Sequence, residues 1–156
     1  MVGNNPVEGL TPDAEGYYTV VLAVPGVPSV SGRIYDPKQV FEHYRARQAQ
    51  GPLYVEFGNP DVAGVSTEEM YYRTTTVKED RICGVISEGY TTDKRIVGKF
   101  KPTGPKADLV HALLSNPEAE LHFGMRSLVW NDRFPYVSVQ NLITFDLVAP
   151  APKEVP

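Results

Sequence analysis

Proline and glycine cut this chain into lengths too short for any extended helical architecture. There are 14 prolines and 13 glycines among 156 residues, and they stand between apolar segments instead of forming one biased tract. Proline fixes φ and removes a backbone donor, while glycine frees the backbone for tight turns. Each such cluster therefore ends one element before the next begins. Most segments between the breaks are rich in β-branched and aromatic residues, which suit a pleated surface. A mostly β domain of short elements follows, with no internal repeat.

Seven segments read as strands: Tyr17 to Val24, Leu53 to Phe57, Met70 to Val77, Ile82 to Tyr90, Ile96 to Phe100, and two longer ones around Leu121 to Trp130 and Tyr136 to Val148. In the third, alternation places Tyr72, Thr74 and Thr76 on one face and Tyr71, Arg73 and Thr75 on the other. Thr92-Asp93-Lys94 and Asn131-Asp132 have turn composition. Two segments read as helices. Asp36-Pro37 offers a side-chain cap followed by proline at the first helical position, Val40, Phe41 and Tyr44 share a face, and Gly51-Pro52 ends the run. Thr103-Gly104-Pro105 opens the second, whose stripe is Leu109, Val110, Leu113 and Leu114, and Asn116-Pro117 closes it. The expected fold is mostly β with two helices (α+β): a small closed or half-closed β-barrel of about seven strands with helices packed outside. Residues 1–16 read as an N-terminal arm, 17–148 as a single domain and 149–156 as a proline-rich tail.

Bulk properties remove several classes of function. A net charge of -4 argues against a nucleic-acid partner. No apolar run approaches the roughly 18 residues of a membrane span, and the N-terminal residues lack the pattern of a signal peptide. A lone cysteine, Cys83, cannot form an internal disulfide, so a reducing cytoplasm is the expected setting. His43, His111 and His122 stand far apart without a ligand partner at a standard spacing, so no metal is expected. No phosphate loop or dinucleotide fingerprint is present, and no cofactor is expected. Glu56 stands out, because it interrupts an apolar strand. A carboxylate facing a core must be paired or neutralised, and Arg126 in another strand is a candidate partner.

Several segments, in this order, resemble the prohead maturation proteases of tailed phages, relatives in fold of the herpesvirus assemblins. Gly32-Arg33-Ile34-Tyr35 is similar to that family's early Gly-Arg-Ile-Tyr-Pro element, and Leu53-Tyr54-Val55-Glu56-Phe57-Gly58-Asn59-Pro60 to its Gly-Glu-Leu-Gly-His-Pro segment. Val97-Gly98 through Thr103-Gly104-Pro105-Lys106 resembles its second helix entry. Phe123-Gly124-Met125-Arg126-Ser127 resembles its nucleophile strand, in which serine stands two places before arginine, and Thr144-Phe145-Asp146-Leu147-Val148 resembles its closing strand.

The resemblance implies a serine protease in which a histidine takes the proton of the attacking serine. Carried over by position, the base falls on Asn59 and the nucleophile on Gly124, and neither side chain can perform its part. A second register uses Ser127 with His122 as the alternative nucleophile and base. Five residues apart, these face opposite sides of a regular strand unless a bulge intervenes. Two readings follow. In one, the chain is a phage virion or capsid-assembly protein with a degenerate, non-catalytic protease fold. It acts by binding the major capsid protein, another head protein or a second copy of itself, in the host cytoplasm during assembly, with persistence in the virion left open by the sequence. In the other, it is an active prohead maturation protease that cleaves scaffold and capsid proteins. A β-barrel interaction module unrelated to phages is the third. Tyr71, Tyr72, Trp130, Phe134 and Tyr136 are candidate anchors for a partner, or plain packing residues.

Overall fold

A computed structural model describes residues 11–29, 32–92, 94–116 and 120–149; most of the expected N-terminal arm and the tail from residue 150 lie outside the described residues. The elements run β1 (Tyr18–Ala23), β2 (Ile34–Tyr35), α1 (Pro37–Ala49), β3 (Leu53–Phe57), α2 (Thr67–Thr75), a short 3₁₀ turn, β4 (Ile82–Thr92), β5 (Arg95–Pro102), α3 (Ala107–Leu114), β6 (His122–Arg133) and β7 (Tyr136–Val148). All seven strands join one curled sheet in the order β1-β5-β4-β3-β7-β2, with β6 on the other side of β7. The α+β half-barrel expected from the sequence is the fold observed. Strands β1 and β6 each pair on one side only, and they approach one another across the opening of the curl.

Local chemistry explains most elements. The Asp36 side chain accepts from the Gln39 amide at 3.1 Å, Pro37 opens α1, and Val40 and Tyr44 face the core. After α1, Gly51 takes φ 125°, a conformation that glycine reaches without a Cβ penalty. Edge-to-face contacts between Phe100 and Phe123 (5.2 Å) and between Tyr44 and Phe145 (6.0 Å) tie distant strands into one core. Glycine permits the closest approaches. A Cβ on Gly84 would fall 2.2 Å from the Phe100 ring, and one on Gly89 would fall 1.6 Å from the Tyr44 hydroxyl.

Two expectations are corrected. The segment Met70 to Val77 is not a strand; residues Thr67–Thr75 form α2, a third helix, and the seventh strand is the two-residue β2. The alternation of Tyr and Thr suggested β structure. The overriding signal was Ser66-Thr67-Glu68-Glu69, in which the Ser66 hydroxyl accepts from the Glu69 amide at 3.1 Å and two acids occupy the first turn. The Asn131-Asp132 turn is also absent. Strand β6 continues to Arg133, and the chain reverses at Phe134-Pro135.

Candidate functional site

Strand register places the candidate residues. Across the sheet, Glu56 of β3 and Gly124 of β6 both stand opposite Asp146 of the intervening β7. Directly opposed residues share a face, so Glu56, Asp146 and Gly124 lie in one row. Beyond β3, Gly58 adopts φ 80° and donates its amide to the Leu147 carbonyl at 2.8 Å. This turn sends Asn59 across β7 toward β6. A Cβ built on Gly124 would lie 3.8 Å from Asn59 Oδ1, with nothing closer. The structure therefore brings residues 59 and 124 face to face. The groove they share, about 280 Å³, lies at the opening between β1 and β6 and is walled by Leu22, Val27, Arg33, His122, Phe123 and Val148 among others. Its chemistry is mostly apolar. Burial pushes the His122 imidazole below its ordinary pKa.

The Ser127–His122 register is not assembled. The register between β6 and β7 is one-to-one from His122 to Arg126, and the shift that follows skips Ile143 of β7, not a residue of β6. Alternation along β6 is thus unbroken from residue 122 to 127, and about 16 Å of strand separates the two. The Ser127 hydroxyl is buried with no hydrogen-bond partner and does not line the groove.

The row itself carries a buried ionic network through Glu56 and Asp146. Glu56 is fully buried. Its carboxylate accepts from Arg73 Nη2 (2.5 Å) and Nη1 (2.9 Å), from the Lys78 amide (2.9 Å), and stands 3.0 Å from Arg126 Nη2. Arg126 also forks onto Asp146 at 2.5 and 3.1 Å, and both Arg126 and Arg73 donate to the Thr76 carbonyl. Glu56 and Arg126 are therefore in contact, but within a larger set. Burial opposes the charge on Glu56, yet the Arg73 fork, the Lys78 amide and Arg126 hold its carboxyl below the usual range. For Asp146 the balance reverses: burial, helped by the Glu56 charge, outweighs Arg126 and pushes its pKa up to about 6.

Sequence reasoning missed Arg73, Lys78 and Asp146. Arg73 was hidden by reading α2 as a strand. Asp146 carried the same signal as Glu56, a carboxylate inside an apolar strand. Among the described residues, no group of three or more His, Cys, Asp and Glu side chains could hold a metal ion.

A model of the Peptidase S80 family matches residues 1–151 of the chain. The chain belongs to the Peptidase S80 family. The capsid maturation protease of Pseudomonas phage phiKZ is 25% identical over 169 residues, a match that covers 95% of this chain. The chain spans 63% of the length of that curated relative. The structure of the bacteriophage T4 capsid assembly protease superposes with a TM-score of 0.66 at 12% identity, covering 94% of this chain and 96% of that one, a likeness of fold. The family is thus that of the tailed-phage prohead proteases. Within this S80 fold, the groove between β1 and β6 holds Asn59 and Gly124 at the positions where the resemblance places base and nucleophile.

Proposed function

We propose that this S80 chain is a capsid-assembly protein that has kept the protease scaffold and acts by binding, not cutting. The observation that carries the reading is the facing pair. Asn59 Oδ1 lies 3.8 Å from where a side chain at 124 would begin, so the positions are suited to a nucleophile and its base while supplying neither. An amide takes up no proton near neutral pH, and glycine offers no oxygen to attack. In a serine hydrolase, loss of the nucleophile or the base lowers kcat by about a millionfold. What remains is an apolar groove between two sheet edges, a shape that receives an extended polypeptide. The partner proposed is the major capsid protein or another head protein, since the curated phiKZ relative is named as a capsid maturation protease. The setting is the host cytoplasm during assembly.

The test is restoration. A Cβ at 124 would meet only ordinary contacts, 3.8 Å to Asn59 Oδ1 and 4.0 Å to Val148, and the backbone there is not left-handed, so Gly124→Ser fits without strain. Purified wild-type chain should leave the phage's own coat and scaffold polypeptides intact, and the Asn59→His/Gly124→Ser double variant should cut them. The single variants should remain silent. Cleavage by the wild type that a serine-directed inhibitor stops, or that Ser127→Ala abolishes, overturns the proposal.

A further inference from the structure

A second groove shares no lining residue with the one at Asn59 and Gly124. Helix α2 buries none of its residues. Its apolar side chains point outward: Met70 is 43% exposed, Tyr71 60% and Tyr72 69%. A nine-residue helix is too short to persist on propensity alone, so packing must hold it. On this side of the molecule the holding contact is ionic, the Arg73 fork onto buried Glu56. The apolar side of α2 is left to solvent.

Against it runs the 61–65 loop. Loop and helix together form a groove of about 440 Å³ with Val62, Val65 and Tyr72 as its apolar lining and Asp61, Glu68 and Glu69 at its rim. Among the described residues, neither the Glu68 nor the Glu69 side chain makes an ion pair or hydrogen bond, and Asp61 only caps the Ala63 amide. Arg73, the one cation among the lining residues described, is committed to Glu56 and the Thr76 carbonyl. The groove therefore presents three uncompensated carboxylates around an apolar strip.

From this pairing of apolar lining and anionic rim, we infer that the α2 groove docks a cationic, amphipathic segment of another protein. Such a segment would lay apolar side chains at helical spacing on Val62, Val65 and Tyr72 and bring Lys or Arg to the three carboxylates. A second copy of this chain is the poorer occupant. Its net charge is -4, and two acidic rims brought together repel. The inference stands whether or not the groove at Asn59 cuts its partner.

The probe is a 14-residue Leu/Lys amphipathic peptide, titrated into the ¹⁵N-labelled full chain. Saturable binding should shift amides of residues 61–73 and weaken as salt is raised. A Ser/Lys peptide of equal charge should bind at least tenfold more weakly, which separates a docking groove from charge attraction alone. Glu68→Gln/Glu69→Gln should weaken binding at least tenfold, as should Tyr72→Ser, with circular dichroism unchanged. Glu42→Gln, which removes an exposed acid on α1, should stay within twofold. Equal binding of the Ser/Lys peptide, or shifts spread over the whole acidic surface, overturns the inference. So does self-association in sedimentation velocity that Tyr72→Ser abolishes, which would assign the face to a second copy.

Discussion

Glu56→Gln keeps the shape of the side chain and removes one negative charge from a site with no solvent to replace it. Glu56 and Asp146 face Arg73 and Arg126, and Arg81 Nε stands 3.7 Å from Glu56. Without the Glu56 charge, Arg73 loses its fork, and Asp146 is the one carboxylate left against Arg126 beside the Thr76 carbonyl. Breaking a buried pair by removing one partner costs about 3–5 kcal/mol. In a domain of this size about 2–4 °C of Tm accompanies each kcal/mol, so Tm should fall by roughly 6–20 °C. The loss should also be uneven. Helix α2 has no buried residue and is held through Arg73, so it should open before the sheet does. Urea denaturation measures the global term, and hydrogen exchange resolved over residues 67–75 measures the local one. With about 1.4 kcal/mol per factor of ten, amides there should exchange roughly a hundredfold faster or more. Arg73→Gln should behave alike, and the double variant should cost less than the sum of the two. A loss under about 1 kcal/mol, the range of an exposed ion pair, with unchanged exchange in α2 would refute the argument.

Further outcomes follow from the same geometry. Asp146 has a folded pKa raised to about 6 from a reference of 3.8, so the folded state holds its proton more tightly. Its contribution to stability is full below about pH 3.8 and is lost as pH rises through 6; integrated, this is on the order of 3 kcal/mol. Asp146→Asn should flatten that slope in denaturation measured from pH 4 to 7, and an unchanged slope would discard the assignment. Gly89→Ala places a Cβ 1.6 Å from the Tyr44 hydroxyl and 2.5 Å from its ring. A loss of about 1–3 kcal/mol is expected, partly recovered by Tyr44→Phe, and thermal melts of the three variants decide it. Ser127→Ala removes a buried hydroxyl with no partner, and chemical denaturation should find stability unchanged or slightly raised.

The half-barrel was legible because its signals are local. Asp36-Pro37, the stripe Val110-Leu113-Leu114 and the β-branched runs act through neighbours in the chain, and burial reinforces them, while Leu109 of the expected stripe stays exposed. Helix α2 was misread because Tyr and Thr propensity is weak and context-dependent, whereas the Ser66 cap and the ionic anchor on Glu56 prevailed. Residues alone determined that a carboxylate in an apolar strand needs a cation, and that positions 59 and 124 lack an imidazole and a hydroxyl. Tertiary structure decided the rest. Which cations surround Glu56, and that Asn59 crosses β7 to face Gly124, depend on strand register and on the Gly58 turn. Those relations join residues up to about ninety positions apart in the chain, and such pairing is set when the sheet closes, not by any local preference.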